Sequence, residues 1–135
     1  MPFRLEIVTP EQKTFSDEVD GVVVPGVEGE LGILPSHVPL MTMLHPGELR
    51  VAKDGKETRM AIGQGFVEVT QDHVNILTDM AVEADNIDEA EAEEAVKRAE
   101  KALQEKFAND EEQATVEASL QKSLARLRVK RRRHY

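Results

Sequence analysis

The side chains able to do acid–base, nucleophilic or metal chemistry are present here, but their spacing assembles none of the usual machinery. The four histidines, His37, His45, His73 and His134, fall at no metal-ligand spacing, and no H-E-x-x-H pattern occurs. The absence of cysteine removes disulfides and thiolate metal centres. Ser16, Ser36, Ser119 and Ser123 lack the glycine-flanked elbow that exposes a nucleophilic hydroxyl. The glycine-dense run Gly26-Val27-Glu28-Gly29-Glu30-Leu31-Gly32 has no following Lys-Ser/Thr and no helical pattern behind it. It therefore lacks the amide cradle and lysine that a phosphate needs. Carboxylates are abundant, but most fall on what read as helix faces, where solvation is the default. No catalytic residue, metal site or cofactor is assigned, and the chain reads as an interaction or regulatory protein rather than an enzyme.

Charge is the most unevenly distributed property. The formal net charge is −9, which argues against nucleic acid as a partner. Six of the 17 basic side chains nevertheless crowd into residues 126–135: Arg126, Arg128, Lys130, Arg131, Arg132 and Arg133. An acidic body with a basic tip suits an oriented, acidic partner; a solvated terminal tail is the alternative. No run of 18 apolar residues occurs, so no direct membrane insertion is expected. Met1-Pro2-Phe3-Arg4 passes straight into alternating sequence without an apolar leader pattern, and a bacterial cytoplasm is the expected compartment.

Two textures position these groups. Over residues 1–84, Phe3, Leu5 and Ile7 alternate with Arg4 and Glu6, the period of a half-buried strand. Val22-Val23-Val24 is stopped by Pro25-Gly26. Leu49 and Val51 lead to Asp54-Gly55, the strongest hairpin signal in the chain, and Thr58, Met60 and Ile62 continue beyond it. Phe66–Val69 and Val74–Leu77 complete the set. All six prolines precede residue 50. Short strands with frequent turn signals predict an antiparallel β-sandwich or barrel.

From residue 85 onward there is no Gly or Pro, and Ala, Glu, Lys, Arg and Leu dominate. Asn86 with Glu89, and Asp110 with Gln113, have capping-box spacing. Ala92, Ala95, Ala99 and Ala102 recur along one stripe, and Val116, Leu120, Leu124 and Leu127 along another. Glu93–Lys97 and Glu94–Arg98 are correctly oriented i,i+4 pairs. The pattern predicts an antiparallel two-helix hairpin over about 87–107 and 111–131. An alanine stripe buries little apolar area, so the hairpin is either a detachable unit or an ordinary fixed appendage.

The run Val24-Pro25-Gly26-Val27-Glu28-Gly29-Glu30-Leu31-Gly32-Ile33-Leu34-Pro35-Ser36-His37-Val38-Pro39-Leu40 resembles the signature of the epsilon-subunit family of bacterial F-type ATP synthases. Gly65-Phe66-Val67-Glu68-Val69 with Val74-Asn75-Ile76-Leu77-Thr78-Asp79 is a second similarity, and the alanine-rich hairpin ending near Leu127-Arg128-Val129 a third. Together they span nearly the whole chain.

The resemblance implies a ten-stranded β-sandwich (residues 1–84) on the gamma subunit and the c-ring, followed by a mobile regulatory hairpin (85–135). It implies a non-catalytic rotor subunit of the central stalk. Such a subunit couples proton or sodium-ion flow to ATP synthesis, as a peripheral protein on the cytoplasmic face of the plasma membrane. Glu28, Glu30 and His37 match the c-ring- and gamma-facing region. The hairpin would extend toward the catalytic alpha and beta subunits and block ATP hydrolysis, with Arg126, Arg128, Lys130, Arg131, Arg132 and Arg133 engaging an acidic segment there. Some family members bind ATP in the compact hairpin through Ile/Leu-Asp-x-x-Arg-Ala. This chain has Ile87, Asp88 and Ala92, but Glu91 stands where the arginine belongs; Arg98, Lys122 and Arg126 keep positive charge nearby. An anion facing phosphate disfavours ATP as a regulatory ligand. A coupling subunit without inhibition, and a free ligand-binding β-sandwich module, are the competing readings.

Overall fold

The computed structural model describes residues 2–132. Ten strands come first: β1 (Phe3–Val8), β2 (Lys13–Val19), β3 (Gly21–Gly26), β4 (Gly29–Ile33), β5 (Leu40–Leu44), β6 (Gly47–Lys53), β7 (Lys56–Ile62), β8 (Gly65–Val69), β9 (His73–Thr78) and β10 (Ala81–Glu83). A 3₁₀ turn at Ala84–Asn86 leads to helices α1 (Glu89–Ala102) and α2 (Asp110–Arg131). The expected β-sandwich followed by two helices is the observed architecture.

The strand order is β10-β7-β6-β3-β5-β8-β9-β1-β2, with β4 paired to β3 outside this path. Alternation sets the inner face: Phe3, Leu5 and Ile7 of β1 are buried while Arg4 and Glu6 point outward. Leu49 and Val51 of β6 and Met60 and Ile62 of β7 meet Val67, Val69, Val74 and Ile76 in one apolar core. The sheet is not wholly antiparallel, because β1 runs parallel to β9 with Leu5 opposite Val74. Periodicity within a strand carries no information about its neighbour's direction, so the sequence could not show this. Strands β2, β4, β5 and β10 also escape a reading by alternation: β2 has only Phe15 and Val19 as apolar residues, β4 contains two glycines, β10 has three residues, and Leu40-Met41-Thr42-Met43-Leu44 is almost continuously apolar.

Asp54-Gly55 closes the β6–β7 hairpin with both residues at positive φ, 52° and 77°, as a two-residue turn between paired Lys53 and Lys56 requires. At the start of β8 the backbone crosses β9 so closely that a β-carbon on Gly65 would lie 1.9 Å from the Leu77 carbonyl oxygen. Only glycine permits that approach.

The helices begin later or earlier than the capping pattern suggests. Asp88, not Asn86, caps α1: its Oδ1 accepts from the Glu91 amide at 3.1 Å, while Asn86 belongs to the 3₁₀ turn. Asn109, not Asp110, caps α2, accepting from the Glu112 amide at 2.8 Å. Each is a good cap within two residues of another good cap, so local sequence leaves the choice open. Helix α1 ends at Ala102, five residues before the expected end, because the chain must turn there for α2 to run back along it. The buried residues of α2 are Ser123, Ala125 and Val129; Val116, Leu120, Leu124 and Leu127 are only half-buried. Small side chains face the sandwich and α1, and the leucines close the rims of the contact.

Candidate functional site

The outer face of β6 and β7 forms the seat for α2. In register, Glu48 lies opposite Ala61 and Arg50 opposite Arg59. Two arginines facing each other across a strand pair repel unless a carboxylate lies between them. Glu48, two residues before Arg50 on the same face, supplies it: its carboxylate accepts from Arg50 at 3.1 Å and from Arg59 at 3.4 Å. Glu30 of β4 accepts from the same Arg50 nitrogen at 2.8 Å. Ala61 below is fully buried, under a small cluster with Ala84, Ile87, Ala92 and Val129.

The basic tip settles on this seat and along α1. Arg59 donates to the Val129 carbonyl at 2.6 Å, placing a cation at the negative end of α2. Arg132 pairs with Glu48. Arg126 pairs with Glu91 at 2.5 Å, and Arg131 with Glu89 and Glu93 at 2.8 and 3.1 Å. The hydrogen bond to Glu89 raises the Arg131 guanidinium further above its ordinary range. Lys130 donates to the Ala84 carbonyl at 3.1 Å. Midway along α2, Lys122 reaches Asp79 at 3.7 Å. Of the described tip cations only the exposed Arg128 makes no hydrogen bond or ion pair with another described residue through its side chain; Arg133 lies outside the described residues. Helix polarity explains the match. An antiparallel hairpin sets the acidic first turn of α1 against the basic last turn of α2.

The three residues matched to the c-ring and gamma region do not form one cluster. Glu28 sits in the exposed two-residue turn between β3 and β4, where Gly26 pairs with Gly29. Glu30 is bound to Arg50, so its carboxylate faces the α2 seat rather than standing free. His37 lies beyond the other end of β4, its Nδ1 2.7 Å from the Val38 carbonyl, in a loop where Ser36 adopts φ 64°. One five-residue strand, about 15 Å of rise, separates the two ends.

The residues of the degenerate nucleotide motif are partly structural. Ile87 and Ala92 are buried, Asp88 caps α1, Arg98 is exposed, and Arg126 is held by Glu91. A cleft of about 610 Å³ opens elsewhere, between α2 and the β3–β6 region, with Pro25, Leu124 and Leu127 against His45, Glu30 and Arg128. No cluster of His, Asp or Glu suited to a metal ion occurs among the described residues.

A second surface lies on the other layer. Val27 and Met43 are joined through the Val27 amide and the Met43 carbonyl; Met43 pairs with Phe66, and Phe66 with Leu77. Together with Met41, these side chains form an apolar stripe across β5, β8 and β9, and Met41 and Met43 are more than half exposed. Leu34 and Val38 add exposed apolar area near His37. Glu48, Arg50, Arg59 and this stripe were missed by reasoning from sequence. The outward arginines on two strands joined by a tight turn are the signal in the sequence that points to the seat.

A β-sandwich with a two-helix hairpin seated on one outer face and an apolar stripe on the other has the build of an interaction module. The model for the beta-sandwich domain of the ATP synthase delta/epsilon chain matches residues 2–84, and that for its long alpha-helix domain residues 85–131. The chain belongs to the family of ATP synthase delta/epsilon chains. It is 47% identical over 133 residues to the ATP synthase epsilon chain of Dehalococcoides mccartyi strain CBDB1, covering 97% of this chain and 95% of that one. To the epsilon chain of Chloroflexus aggregans it is 48% identical over 130 residues, covering 96% and 92%. Among solved structures it resembles a chain of the Euglena gracilis mitochondrial ATP synthase, determined with its F1 and c-ring. The TM-score is 0.71 at 26% identity, over 87% of this chain and 74% of that one.

Proposed function

We propose that this chain is a non-catalytic rotor subunit in the central stalk of a bacterial ATP synthase. Its sandwich docks on the gamma subunit and the c-ring, and its hairpin restrains ATP hydrolysis. The observation that carries this reading is the division of the sandwich into two dissimilar outer faces. One is an uncovered apolar stripe of Val27, Met43, Phe66 and Leu77; the other is a charged seat covered by α2. An uncovered apolar stripe of this kind is a surface for a permanent partner, and methionines adapt readily to such a contact. The gamma subunit is the partner proposed for it.

Glu28, at the turn between β3 and β4, is proposed to meet the polar loops of the c-ring, with His37 serving a separate contact at the other end of β4. Through these contacts rotation would couple ion flow to ATP synthesis, on the cytoplasmic face of the plasma membrane. The hairpin is proposed to leave its seat and reach the acidic surface of the catalytic alpha and beta subunits through its basic tip. ATP is not proposed as a ligand of the compact hairpin, because Glu91 is an anion at the motif's arginine position and already holds Arg126.

ATP hydrolysis by the catalytic complex, reconstituted with residues 1–135 or with 1–84, tests the reading. Faster hydrolysis with the shorter chain, at equal incorporation, is the expected result. Equal rates would remove inhibition and leave a coupling role for the sandwich alone. Failure of either chain to bind gamma would overturn the rotor assignment.

A further inference from the structure

We propose that Glu48 is the catch of an electrostatic latch holding α2 on the sandwich, closed by Arg132, Arg59 and the Glu91–Arg126 pair. The proposal rests on the reading of the hairpin as a detachable element, but not on inhibition of hydrolysis.

The apolar contact beneath the helices is small: its buried members are Ala61, Ala84 and Ala92 with Ile87 and Val129, and Met80, Val82 and Leu127 pack half-buried at its edge. Burying an alanine methyl contributes little, so polar contacts decide a large share of whether α2 stays seated. Those contacts concentrate at one end. The side chains of Glu48 and Arg59 are each only 13% exposed, and Arg50 19%. Charges so shielded interact more strongly than exposed pairs.

The seat is incomplete without α2. Arg50 and Arg59 share the carboxylate of Glu48, with Glu30 a second partner for Arg50 alone, and Arg59 has a guanidinium nitrogen aimed at the position of the Val129 carbonyl. Seating α2 brings two matched groups at once. The negative carbonyl end of the helix meets Arg59, and the cation of Arg132 meets Glu48. Departure of α2 leaves Arg59 without its carbonyl and Glu48 without its third arginine. A second lashing, Arg126 to Glu91 and Arg131 to Glu89 and Glu93, ties the same end of α2 to α1.

The latch also decides which cation an acidic partner meets first. Arg126, Lys130, Arg131 and Arg132 are all committed within the chain, whereas Arg128 is exposed and unpaired among the described residues. Arg128 is therefore the encounter residue for an acidic protein segment. The other cations become available only as Glu48, Glu89, Glu91 and Glu93 give them up.

Amide hydrogen exchange of the full chain tests the latch directly, with sandwich amides in β6, β8 and β9 as an internal control of folding. Raising sodium chloride from about 0.05 to about 1 M shortens the Debye length severalfold and should speed exchange over the last three turns of α2. Arg132→Ala and Arg126→Ala should each speed it about three- to tenfold at low salt, with the sandwich unchanged. Arg59→Ala should do the same; should it unfold the sandwich, the two α2 variants carry the test. Arg128→Ala should leave exchange unaltered. Exchange in α2 that responds neither to salt nor to Arg126→Ala and Arg132→Ala would overturn the latch. So would an Arg128→Ala variant that opens α2 as much as Arg132→Ala, since total tip charge would then be the cause. If α2 instead exchanges only together with the sandwich, the hairpin is a fixed part of the fold, and the detachable-element reading falls with the latch.

Discussion

The sandwich and the hairpin are held by different forces, although both pack against the same two strands. On the inner face of β6 and β7, Leu49, Val51, Met60 and Ile62 enter a continuous apolar core. On the outer face of those strands, Glu48, Arg50, Arg59 and Ala61 meet α2 through charge and a methyl group. Apolar burial is insensitive to moderate salt and is lost only when the whole core opens. Ion pairs around a small apolar contact weaken with salt and can separate locally. A single pair of strands thus anchors one layer through apolar burial and the other through charge, and under the proposed role the second is the exchangeable one. That combination suits a part that must stay docked while its appendage moves.

The largest effect should come from the permanent side. Leu49→Ala leaves a cavity in the fully buried core and should lower stability to urea by about 2–5 kcal/mol, with exchange rising throughout the sandwich. A loss confined to the hairpin would break the contrast between the layers. Next comes the apolar outer face. Met43→Asp puts a charge into the proposed gamma contact and should weaken gamma capture about tenfold or more without altering the urea midpoint. Undiminished capture would send the search for the gamma contact to Leu34 and Val38.

Smaller effects should separate the latch from the tip, because they act in opposite directions on hydrolysis. Glu91→Ala frees Arg126 and should deepen inhibition in the assembled complex about two- to fivefold. Arg128→Ala removes the encounter cation and should relieve inhibition by a similar factor. Changes of the same sign in both would mean that net charge, rather than the specific pairs, governs the hairpin. The smallest effect is expected from Glu91→Arg, which completes the Ile-Asp-x-x-Arg-Ala pattern at residues 87–92. Weak ATP binding should then appear by titration calorimetry where the parent chain shows none; binding of equal strength by both would remove Glu91 as the discriminating residue.

Periodicity and composition determined a good part of this protein. Alternation at Phe3–Ile7 and Leu49–Val51 identified the core face, because side chains at i and i+2 of a strand must share an environment. Asp54-Gly55 specified its turn because few residues accept positive φ twice in succession. The texture after residue 85 announced helices, and the cluster of arginines announced a charged tip. The family was legible in Gly29-Glu30-Leu31-Gly32-Ile33 and the segment after it, and the domain models bear that out.

What the tip touches was decided only in three dimensions. Arg126 and Glu91 are 35 residues apart, Arg59 and Val129 70, and Glu48 and Arg132 84. The sequence carries six tip cations and many carboxylates, and nothing local selects among their pairings. The separation of Glu28 from His37, the parallel pairing of β1 with β9 and the early end of α1 share this cause. Each depends on where a distant segment packs, whereas the readable features depend on neighbours a few residues away.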